Sequence, residues 1–399
     1  MKFYTSVLPY RGRLLVRGVD KDGTQKKYRI NYKPSLFVPV GKESKYKTLD
    51  GRNVAKVKFD SIPEATKWVN EYKNVTNFEY FGNTRHQYPF IADEFAGKVD
   101  WDLSQIKMLS IDIECESENG FPSPDKAVEP LICITVKDYT TKKIIVFGQG
   151  NFVNDREDVQ YFNCSTETHL IEMFTKFWVE YNPDIITGWN VKFFDIPYLM
   201  NRFKNIMGEE WIQQFSPWGI VNEGTALGLG YNRTEAYFDL LGVTTLDYLD
   251  LYRKHTFVRR ESYKLDHIGE VELGQNKLDN PYDTFKEFYQ NDYQRFVEYN
   301  IQDVELVDKL EDKMQLIALH LTMAYEAKVN YQDVFGQVRI WDCIIYNHLR
   351  SKNIVPPAIQ ESKTSDGYEG AYVKDPVVGF HDWVCSFDLN SLYPHLIMQ

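Results

Sequence analysis

The sequence predicts a mixed α/β (α+β) chain of more than one domain, and three observations predict it. Met108 to Phe147 carries three β-rich apolar runs in succession, Glu167 to Tyr181 carries an apolar stripe at helical spacing, and the first 105 residues alternate short apolar stretches with polar turns. At 399 residues the chain is longer than one compact core usually organises, and length alone suggests roughly two to three domains.

In chain order, residues 1–105 read as a small strand-rich α+β domain, with Arg13-Leu-Leu-Val-Arg17 and Leu36-Phe-Val-Pro-Val40 as strands and an amphipathic helix from Pro63 to Tyr72. Met108-Leu-Ser-Ile-Asp-Ile-Glu114, Leu131-Ile-Cys-Ile-Thr-Val136 and Ile144-Ile-Val-Phe147 are three consecutive strands. In the helix that follows, Leu170, Ile171, Phe174, Phe177, Trp178 and Tyr181 form one stripe, and Pro183 ends it. Asp184 to Asn190 reads as a strand entering a loop, and Asp195 with Pro197 starts the next helix. The order β-β-β-α-β-α fits a ribonuclease-H-like fold over residues 106–314.

The glycine-rich segment from about Phe215 to Thr245, bracketed by strand-like runs, is expected to be a protruding hairpin. From about Asp283 to Lys328 the chain has no proline and an apolar repeat through Phe296, Tyr299, Val304, Val307 and Leu310, which predicts a long helical stretch. Val355-Pro-Pro357 and Glu361-Ser-Lys-Thr-Ser-Asp-Gly367 read as a connector. Residues 363–399 begin another domain, with a strand at Trp383-Val-Cys-Ser-Phe-Asp388 and a turn into a helix at Asn390-Ser-Leu-Tyr-Pro394.

Composition narrows the function classes. The five cysteines form no Cys-x-x-Cys pair, so neither a disulfide framework nor a zinc site is indicated. No run approaches the ~18 apolar residues of a membrane span, and the N-terminus lacks a signal core, so the expectation is a soluble, cytoplasmic protein without membrane partners. A formal charge of −11 does not favour phosphate binding, yet net charge averages over faces. Arg11, Arg13, Arg17, Lys21, Lys26 and Lys27, then Arg253, Lys254, Arg259 and Arg260, are candidates for basic tracks.

Asp112 and Glu114 are two apart on an apolar strand, so both project from one face, where their burial is costly without a cation. Asp-x-Glu alone is as readily a solvated strand edge. Tyr299 and Asp303 stand at i and i+4 on one helix face, and Asp195 opens another helix, where it also reads as an N-cap. The conjunction of four carboxylates and a tyrosine on strand, helix start and helix is far more specific than its parts. Two divalent ions on such hard oxygen ligands would polarise a phosphoryl group, activate water and stabilise a departing 3′ oxygen.

Asp112-Ile-Glu114, Thr187-Gly-Trp-Asn190 with Asp195, and Tyr299 with Asp303 resemble the three exonuclease motifs of family B DNA polymerases. The resemblance implies a proofreading 3′→5′ DNA exonuclease in which Asp112, Glu114 and Asp303 bind one Mg²⁺. Asp112 also reaches a second Mg²⁺, Asp195 acts on that ion largely through water, Tyr299 positions the nucleophile and Asn190 holds the frayed strand. Mn²⁺ shares these oxygen ligands. Tyr368-Glu-Gly-Ala-Tyr372 resembles the family's link between exonuclease and polymerase, and Asp388-Leu-Asn-Ser-Leu-Tyr-Pro394 resembles polymerase motif A. By that resemblance Asp388 is a metal ligand for nucleotide addition, Leu389, Ser391 and Leu392 contact the incoming dNTP, and Tyr393 excludes ribose; His395 stands where serine is usual.

Asp247-Tyr-Leu-Asp-Leu-Tyr-Arg253 and Trp341-Asp342 resemble the replicative type of T-even-like bacteriophages, which implies primer–template DNA and a single-stranded 3′ end as substrates and replisome proteins as partners. In that type the 215–245 hairpin helps part primer from template, and the N-terminal domain receives chain returning over residues 315–362. No Asp-Thr-Asp occurs, and the palm is incomplete, so no nucleotide addition is expected from this chain alone. A truncated chain, an incomplete gene and the first subunit of a split polymerase completed by a second chain remain open, the last predicting association through Leu392 to Met398. The alternative function is a non-catalytic nucleic-acid-binding subunit, and an RNA-directed exonuclease is a further rival.

Overall fold

A computed structural model describes residues 1–117, 122–227, 234–278, 280–358 and 372–399. Two compact units, Met1–Ile359 and Gln360–Gln399, make up the chain.

The first unit begins with an antiparallel sheet of β1 (Phe3–Tyr10), β2 (Arg13–Val19) and β3 (Gln25–Ile30). β4 (Ser35–Pro39), β5 (Tyr46–Thr48) and β6 (Asn53–Lys58) belong to a second sheet. Helix α1 (Ile62–Tyr72) follows, capped by Ser61 with proline near its start, and then α2 (Gln87–Glu94).

The central layer is a six-stranded sheet. β7 (Met108–Cys115), β8 (Leu131–Asp138) and β9 (Ile144–Gly148) run antiparallel, and β10 (Val159–Asn163), which the sequence reading missed, pairs parallel with β9. Helix α3 (Glu167–Tyr181) is capped by Thr166 and ended by Asn182 in the left-handed conformation. β11 (Ile185–Thr187) pairs parallel with β7, and α4 (Asp195–Met207) returns across the sheet. β12 (Val221–Leu227) and β13 (Thr234–Leu240) form the expected hairpin, but its base is core: Phe238 and Leu240 are buried because they pack with α4 and β7 side chains. β14 (Thr244–Thr245) completes the order β10-β9-β8-β7-β11-β14.

Helices α5 (Tyr248–His255) and α6 (Leu265–Leu273) follow. The long helical stretch is three helices, α7 (Phe285–Asn291), α8 (Tyr293–Met314) and α9 (Leu316–Ala327). Asp292 breaks it by leaving helical φ/ψ to cap α8, and Gln315 does so by adopting φ +53°. Helix α10 (Gln337–Ser351) leads to β15 (Ile354–Val355), which pairs parallel with β5.

Alternation along β7 settles which side chains face which layer. Ile111 and Ile113 enter a core with Phe174, Trp178, Phe203 and Phe215 beneath α3 and α4. Cys133, Val146, Phe288 and Phe296 fill the opposite side, beneath α7 and α8. Asp112 and Glu114 lie opposite Thr135 and Cys133 of β8, on this second face, where α8 packs.

Arg17 is not part of a basic track. It is buried, with an ion pair to Asp184 at 3.3 Å and hydrogen bonds to the carbonyls of Asn182, Pro183 and Gly242. Arg260 is likewise tied to Glu272 at 2.6 Å, and Lys254 donates to the Phe335 carbonyl.

In the second unit, residues 383–388 do not form the predicted strand. A strand needs a neighbour for its backbone groups, and the described residues of this unit supply none. Helix α11 (Leu392–Met398) is present, entered through Ser391 at φ +56°. Of the Tyr368–Tyr372 motif, all but Tyr372 lies outside the described residues.

Candidate active site

The acidic site forms where β11 stops. Its last pairing is Thr187 with Ser110, so among the described residues β7 has no strand neighbour on that edge from Ile111 onward. Gly188 closes onto the open edge: its φ is +150°, and a Cβ there would stand 2.4 Å from the Ile111 carbonyl oxygen. Further along the same edge, Asp195 Oδ1 accepts the free Ile113 N–H at 3.1 Å. Asp195 is the first residue of α4 and not its N-cap, which is Phe194, and its carboxylate is committed to the β7 backbone.

Over the face of β7, α8 brings Tyr299, Asn300 and Asp303. Carboxylate oxygens of Asp112, Glu114 and Asp303 all lie within 4.8 Å of one another. Asp112 and Glu114 are half-buried, and Asp303 is buried. Asp303 is bound by Lys277, which also stands 3.5 Å from the Tyr299 hydroxyl. Asn300 Nδ2 donates to Asp112 Oδ2 at 2.6 Å.

Burial, and for Asp112 and Glu114 their acidic neighbours as well, raises the proton affinity of these acids. Burial, then Asp303, Asp195 and Glu114, pushes Asp112 well above the carboxylate range. Burial and Asp303 push Glu114 up to about 8, and burial pushes Asp195 up to about 7. Burial also raises Asp303 against the opposing pull of Lys277. Burial alone would lower Lys277, but Asp303, Tyr299 and Asp112 together raise it, so the ammonium stays charged. Burial raises Tyr299, which keeps its phenol protonated.

One ammonium does not balance these carboxylates, and Asp303 Oδ1 is buried with no hydrogen-bond donor among the described residues. An oxygen-only donor set with an unpartnered buried carboxylate oxygen suits a hard divalent cation. Lys277 and Asn300 were missed by the sequence reading: Lys277 follows α6 in an irregular segment with no motif, whereas Asn300, inside Tyr299-Asn-Ile-Gln-Asp303, could have been found from its place on the same helix face.

Asn190 stands half-exposed at φ +65° on the loop leaving β11. In the second unit Asp388, Leu389, Ser391, Leu392 and Tyr393 are all exposed, and among the described residues Asp388 joins no cluster of acidic, histidine or cysteine side chains.

Residues 68–268 match the family profile "DNA polymerase family B, exonuclease domain", and residues 332–399 match "DNA polymerase family B". The chain belongs to DNA polymerase family B. Its similarity to the DNA-directed DNA polymerase of Escherichia phage RB69 is 33% identity over 429 residues, covering 100% of this chain and 46% of that protein. The DNA-directed DNA polymerase of Enterobacteria phage T4 is 31% identical, with 100% and 46% covered. The DNA polymerase delta catalytic subunit of Schizosaccharomyces pombe is 25% identical over 312 residues, with 74% and 28% covered. This family B chain thus spans about half the length of the phage polymerases it matches. Its mixed α/β architecture agrees with the ribonuclease-H-like expectation for the exonuclease domain. Among the described residues no helix is long and apolar enough to cross a membrane.

Proposed function

We propose that this chain hydrolyses DNA from the 3′ end, as the proofreading exonuclease of a bacteriophage-type replicative polymerase acting in the host cytoplasm. The observation that carries the proposal is the convergence of Asp112, Glu114 and Asp303 within 4.8 Å, with Asp195 held on the adjoining edge of the same strand. Asp112, Glu114 and Asp303 would hold one Mg²⁺, and Asp112 with Asp195 a second; Mn²⁺ suits the same oxygens. When bound, the ions supply a Lewis acid for the phosphodiester and charge stabilisation for the leaving 3′ oxygen.

The chain's own groups do the rest. Tyr299, protonated at neutral pH and beside Asp303, is placed to orient the attacking water by hydrogen bonding. Lys277 fixes Asp303, and Asn300 fixes one oxygen of Asp112, so the carboxylates meet their ligand already oriented. Asn190 holds the single-stranded end. Nucleotide addition by Asp388, with Leu389, Ser391, Leu392 and Tyr393 around a dNTP, requires the remaining half of a family B polymerase, whether on the same polypeptide or a second one. Primer–template DNA and replisome proteins are the partners of that complete enzyme.

The test is hydrolysis of matched single-stranded DNA and RNA oligonucleotides with Mg²⁺ or with EDTA. Release of 5′-mononucleotides from DNA with Mg²⁺ is expected. Preferential RNA cleavage, or none with Mg²⁺ present, would contradict the proposal.

A further inference from the structure

Asp247 opens α5 and is only 2% exposed, yet its carboxylate does more than cap a helix. Oδ1 accepts the Leu249 N–H at 3.0 Å, which is ordinary N-capping. The same oxygen accepts the Asn190 N–H at 3.0 Å, and Oδ2 accepts the Lys192 N–H at 2.9 Å. Both of these donors lie on the loop after β11, more than fifty residues earlier in the chain.

The loop needs such an acceptor because the backbone ladder runs out. Leu246 N–H donates to the Ile186 carbonyl and Tyr248 N–H to the Gly188 carbonyl, each at 2.8 Å, which continues the pairing of β14 with β11. Beyond Gly188 the chain turns through Asn190 at φ +65°, and its next N–H groups meet no strand among the described residues. Asp247 supplies the missing acceptors. The loop is therefore clamped between the Asp247 carboxylate and the β7 backbone, which Gly188 approaches too closely for any side chain. From the clamped residues the chain proceeds directly to Asp195, with Phe194 N–H bonded to the Asn190 carbonyl at 3.1 Å.

We propose that Asp247 is a positioning residue for the DNA strand: it fixes the loop that presents Asn190 to a single-stranded 3′ end. This rests on the exonuclease reading of the site. Loss of one acceptor frees a loop donor and lets Asn190 wander, which weakens strand binding while the carboxylates on β7 and α8 keep their places.

The experiment compares wild type, Asp247→Asn, Asp247→Ser, Asn190→Ala and the Asp247→Asn/Asn190→Ala pair. Affinity for a fluorescent single-stranded DNA is read by anisotropy in EDTA, and KM and kcat are read in Mg²⁺. Asp247→Asn is expected to weaken affinity and raise KM about tenfold, with kcat within about threefold and the Mn²⁺-induced rise in Tm retained. Asp247→Ser keeps a hydroxyl for Leu249 but cannot reach both loop donors, so it should behave alike and serves if the asparagine variant is poorly folded. The double variant should bind no worse than the weaker single one, because both act through one contact. Unchanged affinity in both Asp247 variants, a fall in kcat at constant KM, or multiplying effects in the double variant would overturn the inference. A wild type that binds DNA but never hydrolyses it would sink the exonuclease reading instead, and the affinity comparison would still decide the role of Asp247.

Discussion

At the scale of single residues, burial raises the proton affinity of the site's carboxylates, and for Asp112 and Glu114 the neighbouring Asp303 adds to it. Glu114, ordinarily near 4.5, stands at about 8, and Asp195, ordinarily near 3.8, at about 7. A group raised on folding binds its proton more tightly in the folded state. Its stabilising contribution is therefore complete below about pH 4 and is lost as pH rises through 7 to 8. Metal-stripped protein should lose Tm across that window by differential scanning fluorimetry, with a shallower fall in Glu114→Gln, and excess Mg²⁺ should offset the loss at the upper end. A Tm that rises with pH in wild type but not in Glu114→Gln would contradict this. Asn300→Ala, which removes the donor on Asp112, should weaken Mn²⁺ affinity 10–100-fold in a metal titration of Tm. Asp112, Glu114, Asp195, Tyr299 and Asp303 were legible because residue type and period restrict what a strand or helix face can present. Lys277 was not, because a salt bridge between residues 26 apart leaves no mark in local spacing.

Elements were legible where local chemistry and packing agree. Glu167–Tyr181 has its cap, its stripe and its terminator in sequence, and Phe174 at its centre is fully buried against Phe147, Phe203 and Phe215. Phe174→Ala should cost about 3–5 kcal/mol in denaturant unfolding. The breaks at Asp292 and Gln315 were hidden because neither residue is a glycine or proline and the apolar repeat continues through them. The strand expected at residues 383–388 failed for the converse reason: its pattern suits a strand, but pairing is supplied from elsewhere in a sheet. Arg17 looked like surface because its partner, Asp184, lies 167 positions later. It joins β2 to the start of β11, and Arg17→Met leaves Asp184 buried without its cation, though Thr5 and the Lys107 N–H still donate to it. That change should destabilise the first unit by about 3–5 kcal/mol, and less in Arg17→Met/Asp184→Asn.

For the whole molecule, one core runs from β1 and β2 through α2, α5, α9 and α10, so the N-terminal strands and the helices that follow the nuclease layer fold as one body within the first unit. Within that unit α8 packs over β7, where Asp303 meets Asp112 and Glu114. The central claim is tested most directly by incubating the purified chain with a 3′-mismatched primer–template and Mg²⁺, beside Asp112→Ala/Glu114→Ala and beside a lane with dNTPs. The account predicts shortening from the 3′ end that falls about a thousandfold or more in the double variant. No shortening by wild type, or equal shortening by the variant, would contradict it.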